Sequence, residues 1–220
     1  SAASDVYKRQ ADDCSVRVKI ISSSQGMIGT VSGAFEGPSM DNCHSQASIE
    51  VNHAGYTESF IGGLLGFDGS YKPIYNSSSS GRIVAKSDHA TIWVSGLAGV
   101  NARIINCYHV GDISGTGPDV HVGGICASYS NQTNVYHAGK LSATGIEVDG
   151  NPAIVEISPL GNPTEFSLEN GYYDVTCMAD TTGLNIKGVA MQPDEMKRAE
   201  FAGLLTANAT SVMAVSYTHL

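Results

Sequence analysis

Two landmarks recur in step along this chain, and no other feature restricts its fold as much. The first reads V-S-G-A at 31–34, I-G-G-L-L-G at 61–66, V-S-G-L-A-G at 94–99 and V-G-G-I-C-A at 122–127, with a degenerate copy, V-E-I-S-P-L-G, at 155–161. The second is an Asn with a small residue five places on and an aliphatic two places further. It occurs at Asn42, Asn76, Asn106 and Asn134, with Ala47, Gly81, Gly111 and Gly139 as the small residues. The anchor glycines Gly33, Gly63, Gly96 and Gly124 are 30, 33 and 28 residues apart, and the Asn anchors are 34, 30 and 28 apart. Self-similarity at a period between 20 and 50 residues is the mark of a solenoid, a propeller or an array, in which each unit buries its apolar face only against its neighbours.

The length of the unit separates these options. A propeller blade needs four antiparallel strands in roughly 40–45 residues. Here about three short strands fit each unit: the small-residue stretch, the run from Asn to the aliphatic, and a connecting piece such as Ile83-Val84-Ala85. Three strands at this period describe one coil of a parallel β-helix, each strand pairing with its counterpart one coil along at about 4.8 Å. Composition agrees: 25 Gly, 42% hydrophobic and 15% charged residues suit short strands and turns better than helices. The expected fold is therefore all-β, a right-handed parallel β-helix of about five coils.

In that geometry the motif residues have physical roles. The paired small residues, including Gly63, Gly96 and Gly124, allow a tight bend or positive φ at a corner. Ile61, Leu64, Val94, Leu97, Val122 and Ile125 alternate inward and stack as apolar columns. Asn42, Asn76, Asn106 and Asn134 occupy equivalent corners, where their amides can bond one another along the axis. Gly81, Gly111 and Gly139 turn the chain again, and Ile83, Ile113 and Leu141 return it to the core.

The repeats are expected over 11–178 and a C-terminal cap over 179–213. Within the cap, Pro and acidic residues followed by Met196, Phe201, Leu204 and Leu205 predict a helix over 192–205, placed to cover the open end of the solenoid. Residues 1–10 and 214–220 resemble translated sequencing-adapter sequence, so both ends are set aside as non-native and the chain is treated as a fragment. No apolar run reaches the ~20 residues of a membrane span.

The candidate chemistry is sparse. Twelve basic against 21 acidic side chains, a net charge of −9, leave no basic stripe to neutralise phosphates, which excludes a nucleic-acid role. The five cysteines form no C-x-x-C pair and are odd in number, so buried thiols are expected, with Cys43 and Cys107 two coils apart and beyond disulfide reach. His109 and His137 fall at equivalent places and offer two ligands of a metal site. No third recurs with them, so a polar surface ladder is expected instead. No calcium loop is present and the carboxylates are scattered, so no catalytic set and no cofactor is expected. Among the aromatics Tyr56, Tyr71, Tyr75, Trp93, Tyr108, Tyr129 and Tyr136, expected to be exposed, we take Tyr108, Tyr136 and Trp93 as the candidate ligand contacts. Aromatic faces stack on sugar rings and anchor protein interfaces, although an in-register tyrosine ladder would also stabilise the sheet.

The pattern V-G-G-[LI]-x-G followed by I-x-N-C-Y-x-x-G-x-I resembles the GLUG repeat of bacterial surface and secreted proteins. The stretch Asn170-Gly-Tyr-Tyr173, followed by D-E-M-K and a short apolar helix, is similar to how such arrays end. The resemblance covers Val16 to Leu205. It implies an extracellular or cell-surface location and a non-catalytic, adhesin-like or spacer module of a larger exported bacterial protein. The implied partners are host or microbial glycans or extracellular proteins. The alternatives are a carbohydrate-active β-helix enzyme, a polysaccharide lyase or hydrolase, and an accessory array beside a secreted protease domain.

Overall fold

A computed structural model describes residues 11–23, 26–162, 164, 166–179 and 184–206. Residues 1–10 and 214–220, expected to be adapter-like, and residues 180–183 and 207–213 of the expected cap lie outside these residues. Strand pairing among the described residues is parallel, apart from an isolated antiparallel bridge between Val148 and Asn151. The chain winds as an all-β solenoid of about four turns, close to the five coils expected.

One coil shows how the sequence dictates the winding. Asp119–Gly123 runs in a five-stranded sheet, the chain turns at Gly124-Ile125, and Cys126–Ala138 follows in the twelve-stranded sheet. That long strand bends at Asn134, whose φ is 51°, and the chain turns again at Gly139, with φ of 135°. Leu141–Gly145 then enters the second five-stranded sheet, and a loop leads back to Ile154–Ser158. The left-handed corner recurs at Asn42, Asn76, Asn106, Asn134 and Asn170, with φ between 47° and 55°. Asn tolerates this region better than any other residue except Gly. Asp13, with φ of 51°, makes the same corner one coil earlier.

The inward residues stack in register. Ile61, Val94, Val122 and Ile157 form one column, and Ile20, Ile49, Ile83, Ile113 and Leu141 another. Leu64, Leu97, Ile125 and Leu160 line the other side of the interior with Ile74, Ile104 and Cys107. Full burial of each such side chain contributes about 1.5–3 kcal/mol relative to exposure. All five cysteines are thiols and none forms a disulfide. Burial pushes the Cys107, Cys126 and Cys177 thiols up to about 12.

The structure corrects three of the expectations. Of the two roles expected for Gly63, Gly96 and Gly124, the bend is present but the positive φ is not. Their column exists because the next coil passes so close that a Cβ on Gly96 would lie 2.2 Å from the carbonyl oxygen of Gly124. The amide ladder runs from Asn170 through Asn134 and Asn106 to Asn76, at 3.0, 2.9 and 3.1 Å. There it leaves the column: Asn76 donates to Asp41, and Asn42 donates to Asp13. The single helix resolves into two short ones, α1 (Pro193–Met196) and α2 (Ala199–Thr206), broken at Lys197-Arg198. They lie along the flank of the coils, not across their open end. Phe201 meets the rings of Tyr136 and Tyr172 edge-on at 5.3 and 5.4 Å, joining side chains of two successive coils. No helix of the described residues is long and apolar enough to cross a membrane.

Candidate functional site

The residues singled out as ligand contacts are mostly covered. Tyr136 has no exposed surface and Tyr108 only 8%. Their rings stack at 4.8 Å in adjacent coils, and they cluster with Met196 of α1 and Phe201 and Leu205 of α2. They read as exposed because the periodic pattern places them on the outer face of the coil. A cover centred on Phe201, 65 residues beyond Tyr136 and 93 beyond Tyr108, has no signature at the tyrosines themselves.

His109 and His137 do stack, at 5.3 Å with planes 3° apart, but inside the solenoid rather than on its surface. The glycine column makes the space: a Cβ on Gly96 would lie 2.3 Å from His109 Cγ, and one on Gly124 would lie 2.5 Å from His137 Cγ. The two Nδ1 atoms are 3.2 Å apart, so one tautomer donates to the other. Burial pushes His137 down to about 4, and burial together with the neighbouring His137 ring holds His109 well below its usual range. Neutral imidazoles can ligate metal, but no group of three or more His, Cys, Asp or Glu side chains suited to a metal ion occurs among the described residues.

Trp93 is half-buried and its ring is engaged. It stacks on His121 at 3.7 Å with planes 10° apart. His121 Nδ1 is 2.8 Å from Glu156 Oε2, which also accepts from Asn162. Asp119 Oδ1 lies 2.9 Å from His121 Nε2 on the other side of the ring, and its Oδ2 accepts from Thr91 Oγ1 at 2.8 Å. A groove of about 240 Å³ opens beside Glu156 and is walled by Val155, Ile157 and Leu184.

Accessible aromatic surface lies elsewhere, on Tyr56, 80% exposed and stacked on His89 at 4.7 Å, and on Tyr71 and Tyr129, 37% and 58% exposed; the last two border one depression. Both take left-handed backbone, at φ of 52° and 49°, and so does Asn101 at 62°. A bulky residue there is an outlier costing of order 1–3 kcal/mol, and it persists only where its surroundings enforce it. They do so here. Buried Asp68 accepts from Ser70 N at 2.9 Å and Ser70 Oγ at 3.1 Å on one oxygen, and from Lys72 N at 2.7 Å on the other. That clasp forms the loop carrying Tyr71. Asn101 Nδ2 donates to the Asp68 carbonyl at 2.6 Å, which ties the bulge of one coil to the loop of the one before. Tyr129 sits one coil further along. Ser167 Oγ donates to Asn131 Oδ1 at 2.6 Å.

Together these residues border an open depression of about 640 Å³, lined by Tyr71, Asn101, Tyr129, Asn131, Thr164 and Ser167. Its floor and walls are amides, hydroxyls and two phenol rings. The sequence held a signal for it. Counting five residues on from the anchor glycines Gly63, Gly96 and Gly124 gives Asp68, Asn101 and Tyr129. Of these, Asn101 and Tyr129 take left-handed backbone, whereas in the coil of Asp68 the left-handed residue is Tyr71, three places further on. No family model, curated protein or solved structure matches the chain.

Proposed function

We propose that this chain is a non-catalytic, adhesin-like module of a larger exported bacterial protein, and that it holds carbohydrate in the Tyr71–Tyr129 depression. The observation that carries the reading is the pair of exposed tyrosines fixed in strained backbone on either side of polar groups. Phenol rings offer faces for the C–H surfaces of a pyranose, and the Asn amides and Ser and Thr hydroxyls offer donors and acceptors for its hydroxyls. A shallow, open depression suits one stretch of a long chain rather than an enclosed small molecule. The resemblance to GLUG repeats supports a location outside the cell or at its surface, where glycans and extracellular proteins are the available partners. The solenoid itself serves as spacer, each coil adding about 4.8 Å of length.

A glycan array tests the reading. The chain should retain one or more glycans, Tyr71→Ala and Tyr129→Ala should each lose them, and Tyr108→Ala should not. Binding that survives both of the first two substitutions would move the site elsewhere, and a blank array would leave a stalk without a ligand. Release of reducing ends or unsaturated products from a polysaccharide would replace the module with an enzyme.

A further inference from the structure

We infer that the Tyr71–Tyr129 depression is built for a carboxylated polysaccharide laid along the solenoid axis, with the Arg103 guanidinium as its anion contact. The inference rests on the carbohydrate-binding reading above and narrows it to one ligand class.

Arg103 is in register with Asn131, and Asn131 with Ser167, so the three make one outward column across three coils. All three are exposed. Neighbouring members are about 4.8 Å apart. Asn101 and Tyr129 form a second column two residues away in each strand. Both columns run parallel to the axis. A linear polymer along that direction meets side chains at regular intervals of about 4.8 Å.

The charge pattern selects the polymer. None of the residues lining the depression is acidic. The ion pairs of the described residues belong to His121, and no carboxylate among those residues pairs with Arg103. Arg103 stands close enough to Tyr71 to favour its ionised hydroxyl, against the larger opposing effect of burial. Guanidinium is a planar fork matched to a carboxylate, and it remains charged at any working pH. The net charge of −9 opposes a polyanion at long range. That repulsion is screened beyond about 8 Å at physiological salt, while the local contact is not.

The experiment measures the affinity of the full chain for polygalacturonate, for the same polymer after carboxyl reduction, and for poly-L-glutamate. The expected result is a Kd for polygalacturonate lower by about tenfold than for the reduced polymer, the worth of one hydrogen-bonded charge contact. Arg103→Gln should abolish that preference and leave binding of the reduced polymer unchanged. Its far-UV circular dichroism should match the parent, since the side chain is exposed. Equal affinity for both polymers would overturn the inference and leave the carbohydrate reading standing. So would a preference that persists in Arg103→Gln, or poly-L-glutamate binding as tightly as the sugar polymer. Failure to bind polygalacturonate overturns the inference alone, and a blank glycan array overturns the reading beneath it as well.

Discussion

His109 packs against Gly96: its Cγ and Cβ occupy the space that any side chain at 96 would take. Equivalent pairs are Gly63 with Ser79 and Gly124 with His137. The glycine of one landmark and the third residue after the Asn of the other are therefore a single packing unit read from two places in the sequence.

Gly96→Ala should be among the most damaging single substitutions in the chain. Its Cβ would sit 2.3 Å from the ring and 2.2 Å from the Gly124 carbonyl oxygen. Overpacking in a close-packed interior costs typically 1–3 kcal/mol, and a clash with backbone belongs at or above the upper end. Adding His109→Ser removes the ring but not the carbonyl, so urea unfolding should show little recovery in the double variant. Substantial recovery would make the ring, and not the approach of the coils, the reason for the glycine.

The buried histidine pair makes the protein acid-labile. The folded value of His137 is about 4, and the ordinary value is 6.5. Between these the unfolded chain binds a proton that the folded state refuses, so stability rises with pH across that window. It is fully present above about pH 6.5 and is lost progressively as pH falls towards 4. The loss from this residue is on the order of 3 kcal/mol. Urea midpoints measured from pH 4 to 8 should show the slope. His109→Ser combined with His137→Ser, which extends the serines at 45 and 79 of the same column, should flatten it.

The solenoid was legible because its determinants are local and repeated. Asn106 specifies a left-handed corner by itself, and four copies in phase specify which coils meet. What was not legible depended on single contacts between distant segments. Tyr136 and Tyr108 follow the outward pattern and are buried only because α2 returns over them. His109 and His137 look like a surface ladder until Gly96 and Gly124 are seen to clear the room inside. Asp13 escaped the pattern because it uses a carboxylate where the other corners use an amide. The Tyr71 loop is irregular against the repeat, and its shape comes from Asp68, whose clasp involves residues that no period marks.

Two contributions of Asn106 can be separated. Its backbone is at φ of 55°, and its side chain donates to Asn76 and accepts from Asn134. Asn106→Gly keeps the backbone and removes the bonds. Asn106→Ala removes the bonds and adds a left-handed penalty of roughly 1–2 kcal/mol. Thermal unfolding should rank the parent above the glycine variant and the glycine variant above the alanine variant. Equal loss in both variants would assign the whole effect to the amide ladder.

Phe201 holds the C-terminal segment against the coils. Phe201→Ala removes a fully buried ring and its edge-on contacts with Tyr136 and Tyr172, at a cost of about 3–5 kcal/mol to that docking. Hydrogen exchange should then accelerate across Pro193–Thr206 and at Tyr136 and Tyr172. The amides of Ile61, Val94 and Val122 should keep their protection, because their column lies in a different part of the interior. Loss of protection throughout would mean that the helices are integral to the solenoid.

Tyr129 sets stability against binding. Its φ of 49° is one that glycine adopts freely, and over half of its surface is exposed, so little packing is lost when the ring goes. Relief of the left-handed strain, roughly 1–2 kcal/mol, outweighs the 0.5–1 kcal/mol entropy that a glycine adds to the unfolded chain. Tyr129→Gly should thus unfold at the parent temperature or slightly above it, and should fail to bind any glycan the parent binds. A tyrosine kept for packing would give the opposite pair of results, a lower melting temperature with glycan retention intact. Melting and binding measured on one preparation decide between them.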